Sequence, residues 1–120
     1  MRILVVDDEA DLRELVSCIL AAAGHDVTTA SGPVDALSLA VNSTFDVVLT
    51  DIDMAGGPTG IRVGSYLAER QPSLRIIYMS GRFDRDRVPA GSTFLEKPFT
   101  RLALLQAIEE AGVAASPEAR

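Results

Sequence analysis

Two hydrophobic periods alternate along the chain. Ile3-Leu4-Val5-Val6 is an unbroken apolar run, and Leu12, Leu15, Val16, Ile19, Leu20 and Ala23 then recur at i, i+3, i+4, i+7 spacing. A strand followed by an amphipathic helix is predicted. Gly24 suits the C′ position of that helix, and Val27 to Ala30 supplies β-branched side chains for a second strand. After Ser31-Gly32, Pro33 fits a first helical position. Ala36, Leu37, Ala40 and Val41 make the apolar face of a second helix that ends near Asn42-Ser43. Phe45 to Thr50 is the most apolar strand. Past a loop rich in Gly and Pro, Ile61, Gly64, Leu67 and Ala68 share one face of a third helix that stops before Pro72. Leu74 to Met79 and Thr93 to Leu95 read as strands four and five. Leu104, Ala107, Ile108 and Ala111 read as the core face of a closing helix capped by Thr100. One domain over 1–112 is expected, with 113–120 as a flexible tail.

Strands this apolar have no face to leave wet. Their alternation with helices, joined by right-handed crossovers, predicts an α/β fold: a doubly wound, five-stranded parallel sheet with helices on both faces. Such sheets hold ligands outside the carboxyl ends of their strands, where strand order reverses. The polar residues fall there. Strand one runs into Asp7-Asp8, strand three into Asp51 with Asp53 beyond it, strand four into Ser80, and strand five through Glu96 to Lys97-Pro98.

Composition narrows what such a site serves. A chain of 120 residues is one domain, able to bury roughly two-thirds of the surface its unfolded form exposes. Eleven Lys and Arg against seventeen Asp and Glu leave a net charge of −6. That field repels a phosphate backbone or an anionic membrane, so neither nucleic acid nor membrane is an expected partner. The lone Cys18 cannot form an internal disulfide and is expected to pack as a small hydrophobe. Asp7 ends the first apolar run too early for a signal-peptide core or a membrane span, so a cytoplasmic location is expected.

Three carboxylates at one sheet edge repel one another, each pair by about 4 kcal/mol at 4 Å in an effective dielectric near 20. They need a cation. Hard oxygen ligands with no His or Cys near them in sequence favour Mg²⁺. An acidic site holding Mg²⁺, one lysine and one hydroxyl suits phosphoryl transfer. Metal and Lys97 neutralise the equatorial oxygens, and Ser80 adds a hydrogen bond. A carboxylate can itself be the nucleophile, giving an acyl phosphate. Asp51 is the best candidate because it ends the most apolar, central strand.

The stretches VVDDE (5–9), VVLTDIDM (47–54), MSG (79–81) and FLEKPF (94–99) are similar to the receiver domain of bacterial two-component response regulators, in the family's order and across almost the whole chain. The resemblance implies the flavodoxin-like strand order 2-1-3-4-5. It makes Asp51 the phosphoacceptor, Asp8 a direct metal ligand, Asp7 a ligand through water, and Asp53 a ligand through its backbone carbonyl. Lys97 would pair with phosphoryl oxygens, Ser80 would be the switch hydroxyl, and Phe94 the aromatic that changes rotamer with it. Lys97-Pro98 would be cis. A histidine kinase or a histidine phosphotransfer protein would be the donor, and an unidentified output protein would receive the signal by contact.

Blander roles compete at several positions: Phe94 as core, Ser80 as a turn former, and the Asp53 side chain as solvated. His25 is assigned no role, and RFDRDR (82–87) reads as a solvated loop. Ala55 stands where relatives usually carry proline, and Gly56-Gly57-Pro58-Thr59-Gly60 runs about one residue longer than in the family, so a looser loop is expected. Sixteen residues separate Ser80 from Lys97, and 81–92 contains Pro89 and Gly91 with no apolar stripe. A fourth helix there should be short or absent, and since relatives often dimerise through that face, a monomer or weak dimer is expected. Because strand one begins at Met1, a free-standing product is expected, although a module cut from a hybrid kinase would read the same. Asp51-Ile52-Asp53 also resembles the opening of haloacid dehalogenase-type phosphatases, but with Ala55 in the last motif position and an acidic pair already on strand one. No independent substrate turnover is expected.

Overall fold

The computed structural model describes residues 1–54, 60–81, 85–89 and 92–115. The strands are β1 (Arg2–Val6), β2 (Asp26–Ala30), β3 (Val47–Asp51), β4 (Arg75–Ser80) and β5 (Thr93–Glu96). They form one sheet in the order β2-β1-β3-β4-β5, with every neighbouring pair parallel. The helices are α1 (Ala10–Ala22), α2 (Pro33–Asn42), α3 (Gly60–Arg70) and α4 (Arg101–Ala115). Among the described residues of the β4–β5 connection, the only helical structure is a 3₁₀ turn at Arg85–Arg87, as its lack of an apolar stripe predicts.

Strand alternation divides the core in two. Ile3, Val5, Val47, Leu49, Ile77 and Met79 face Val16 and Leu20 of α1 and Leu104 and Ile108 of α4. Leu4, Val6, Val48, Ile76 and Tyr78 face Ala36 of α2 and Val63 and Leu67 of α3. β3 is buried at all five positions, and each fully buried aliphatic side chain contributes about 1.5–3 kcal/mol relative to exposure. Gly64 has a packing reason. A Cβ there would overlap the Tyr78 hydroxyl, which reaches the Ile61 carbonyl at 3.5 Å.

The helix ends follow the signals read in sequence. Gly24 adopts φ +94°. Its N–H bonds the Ala21 carbonyl at 3.0 Å and that of His25 bonds the Leu20 carbonyl at 3.2 Å, the paired bonds of a Schellman motif. Thr100 caps α4, its Oγ1 accepting from the Ala103 N–H at 3.0 Å. α4 continues to Ala115, and the rest of the expected tail, 116–120, lies outside the described residues.

Three expectations need correction. Leu15 is 56% exposed and Val41 75% exposed. At 100° per residue Leu15 lies about 100° round α1 from Val16, and Val41 about 140° round α2 from Ala36, beyond the arc each helix buries. Cys18 is exposed rather than packed. It falls on the outer side of α1, two residues from both Val16 and Leu20, the residues that α1 buries.

Candidate functional site

The chain lays β2 on one side of β1 and β3 on the other, so strand order reverses between β1 and β3. Val6 is in register with Thr50, which brings the residues just beyond them, Asp7 and Asp51, to the same crevice. Carboxylate oxygens of Asp7, Asp8 and Asp51 all lie within 4.8 Å of one another. Asp7 is 1% and Asp51 8% exposed, whereas Asp8 faces solvent. The rigidity of the buried pair comes from strands whose apolar residues leave no freedom to shift.

Each acid is held by specific partners. The Asp7 N–H donates to the Ala30 carbonyl at 3.2 Å, and its Oδ1 accepts from the Glu9 N–H at 2.8 Å. Arg13 of α1 donates through Nη1 to the Asp7 carbonyl at 2.8 Å. Lys97 Nζ lies 3.3 Å from Asp7 Oδ2 and 3.4 Å from Asp51 Oδ2, bridging the two buried acids. Its backbone N–H donates to the Ser80 carbonyl at 2.6 Å, and the Lys97–Pro98 peptide is cis. Burial, against the opposing attraction of Lys97 and with repulsion from Asp7, holds the Asp51 carboxyl above its usual range. The Asp53 N–H donates to that carboxylate.

One lysine does not balance three clustered carboxylates. The donor set, hard oxygens with solvent access beside Asp8, fits a divalent cation of the Mg²⁺ class, which binds through a few carboxylates and retains waters. Ser80 closes β4 at 4% exposure, one residue past the Met79 that pairs with Asp51. Phe94 is partly buried, in register with Tyr78, and packs with it on the α2/α3 side of the sheet. The site therefore assembles Asp7, Asp8, Asp51 and Lys97 directly, with Ser80 beside them and Phe94 one layer away.

The Asp53 side chain points elsewhere. It pairs with Arg87, Nη2 to Oδ1 at 3.2 Å and Nη1 to Oδ2 at 3.4 Å. Arg87 is exposed, as the solvated-loop reading of 82–87 expects, and is also ion-paired; 82–84 lie outside the described residues, as do Ala55 and the loop 55–59. Gly60, in sequence only the end of the loop, has a close-packing role: a Cβ there would overlap the Asp51 carbonyl oxygen, and its N–H donates to the Ile52 carbonyl at 2.7 Å. A glycine at the first position of a helix after an acid-ended strand was the available signal. For Arg87 there was none, since its segment has no periodicity.

The comparisons with known proteins agree with this geometry. The family model of the response regulator receiver domain matches residues 3–109. The transcriptional regulatory protein TdiR of Thauera aromatica is 32% identical over 114 residues, covering 91% of this chain and 50% of TdiR. The DNA-binding transcriptional regulator NtrC of Escherichia coli (strain K12) is 32% identical over 100 residues, covering 79% of this chain and 21% of NtrC. A crystal structure of a response regulator receiver protein from Sinorhizobium medicae WSM419 matches with a TM-score of 0.89 at 32% identity, covering 97% of each chain. The chain thus spans about half the length of TdiR and about a fifth of NtrC. The order of the strands, the acids at the switch point and the sequence match concur, and the chain belongs to the response regulator receiver domain family.

Proposed function

We propose that this chain accepts a phosphoryl group on Asp51 from a phosphohistidine donor and passes the signal on by protein contact. The observation that carries this is the bridging of buried Asp7 and Asp51 by Lys97 beside Asp8. One Asp51 oxygen attacks phosphorus, the phosphorus–nitrogen bond to the donor imidazole breaks, and its electron pair stays with the imidazole. The product is an acyl phosphate. Asp7, Asp8, Asp51 and the Asp53 carbonyl would hold Mg²⁺, which when bound would neutralise charge at the transferring group. Lys97 holds a second positive charge against the phosphoryl oxygens. Ser80 supplies the hydroxyl that closes on them, with Phe94 following, so that added charge becomes a change of shape.

The donor's docking site would be an apolar groove. Leu12, Leu15, Val16 and Ile19 of α1 face Pro98 and Phe99 across an apolar groove that opens beside Lys97, where a helical donor would deliver its histidine. A histidine kinase or histidine phosphotransfer protein is the class proposed. NtrC is by name a DNA-binding regulator, so the charge argument against nucleic acid concerns this chain's own residues. Among the described residues no helix is long and apolar enough to cross a membrane. The dehalogenase-type reading finds no support, because the Asp53 carboxylate is turned onto Arg87. Incubation with acetyl phosphate and Mg²⁺ should add one phosphoryl group by intact mass, lost with chelator. Steady turnover of a phosphomonoester such as p-nitrophenyl phosphate would contradict a pure acceptor role.

A further inference from the structure

We infer that Arg87 is a positioning residue for the transfer reaction: on the 3₁₀ turn it grips Asp53, neutralising a fourth carboxylate at the rim of the acceptor pocket. The inference rests on the acceptor role of Asp51. Asp53 is two residues past Asp51, its N–H already donates to the Asp51 carboxylate, and its side chain is 64% exposed. Uncompensated, that carboxylate would repel both Asp51 and every anionic phosphodonor. The guanidinium meets it with two nitrogens on two oxygens at 3.2 and 3.4 Å, a forked contact that fixes direction as well as charge. The turn is not adrift. Val88, the next residue, packs against the buried cluster of the α2/α3 face. The shortened β4–β5 connection is thereby tied to the core by one residue and to the pocket rim by its neighbour.

The role is electrostatic, and its test reads electrostatics. Arg87→Gln should slow labelling of Asp51 by acetyl phosphate with Mg²⁺ by about threefold to tenfold at low ionic strength, and the deficit should shrink as salt shortens the screening length to about 3 Å at 1 M. Arg87→Lys should recover most of the rate, since it keeps the charge and loses only the fork. In an Asp53→Asn background, which retains the Asp53 carbonyl, Arg87→Gln should have a clearly smaller effect. Circular dichroism melts of each variant check that the fold is intact. Labelled wild type with an unchanged Arg87→Gln rate would overturn this inference alone. So would a deficit that ignores salt or persists undiminished beside Asp53→Asn, which would mark Arg87 as merely structural. Wild type that takes no phosphoryl group at Asp51 would overturn the acceptor reading, and this inference with it.

Discussion

Asp51 carries two conflicting demands: it must be buried enough to be held rigidly and charged enough to attack phosphorus. Burial raises its pKa in the folded chain above the unfolded value, Lys97 only partly opposing. The raised pKa means stability that is full below the ordinary carboxylate range and is lost as pH rises through the folded-state value. Asp51→Asn should therefore raise the melting temperature of metal-free protein at pH 7, with the gain vanishing in acid. Melts across pH check this, and a gain that grows on acidification would contradict it. Gly60 answers the demand for rigidity from the other side of the loop. Gly60→Ala forces a methyl into the Asp51 carbonyl and should cost about 1–3 kcal/mol in denaturant melts as well as slowing labelling. Asp7, Asp8, Asp51 and Lys97 were legible in the sequence because each lies at or just beyond the end of a strand and so shares an edge. Arg13, Arg87 and Gly60 were not, because their contacts depend on how loops and helix starts lie, which no periodicity encodes.

Among the elements, the five strands and four long helices stand where the two hydrophobic periods put them, since burial on one helix stripe or both sheet faces leaves a direct trace in spacing. The trace overstates its reach at the helix edges. Leu15 and Val41 complete apolar patterns yet face water, and a stripe alone does not say how wide an arc its neighbours cover. Leu15 is one wall of the groove beside Lys97, where the proposed donor would dock. Taking a leucine out of water contributes about 1.5–3 kcal/mol, equivalent to roughly tenfold or more in affinity. Leu15→Asp should slow transfer from a phosphohistidine-bearing protein about tenfold more than it slows labelling by acetyl phosphate. Equal slowing from both donors would remove the groove from the account.

For the molecule as a whole, the missing length between β4 and β5 is the departure with the widest consequence. The described part of that connection offers one 3₁₀ turn in place of the helix that the family resemblance implies, so a phosphorylated chain should remain a monomer or weak dimer by light scattering at micromolar concentration. A tight phosphorylation-dependent dimer would contradict this. The sheet otherwise follows the general rule for doubly wound folds: two halves diverge at β1 and β3, and chemistry gathers in the gap. Acids far apart in sequence become a single pocket through topology alone. The most direct test of that claim is to treat the acetyl-phosphate-labelled protein with borohydride, which reduces an aspartyl phosphate to homoserine, and to map the product by peptide mass spectrometry. Homoserine at position 51, dependent on Mg²⁺ and on Lys97, is the predicted result; conversion at another acid, or none in protein shown to be folded, would contradict it.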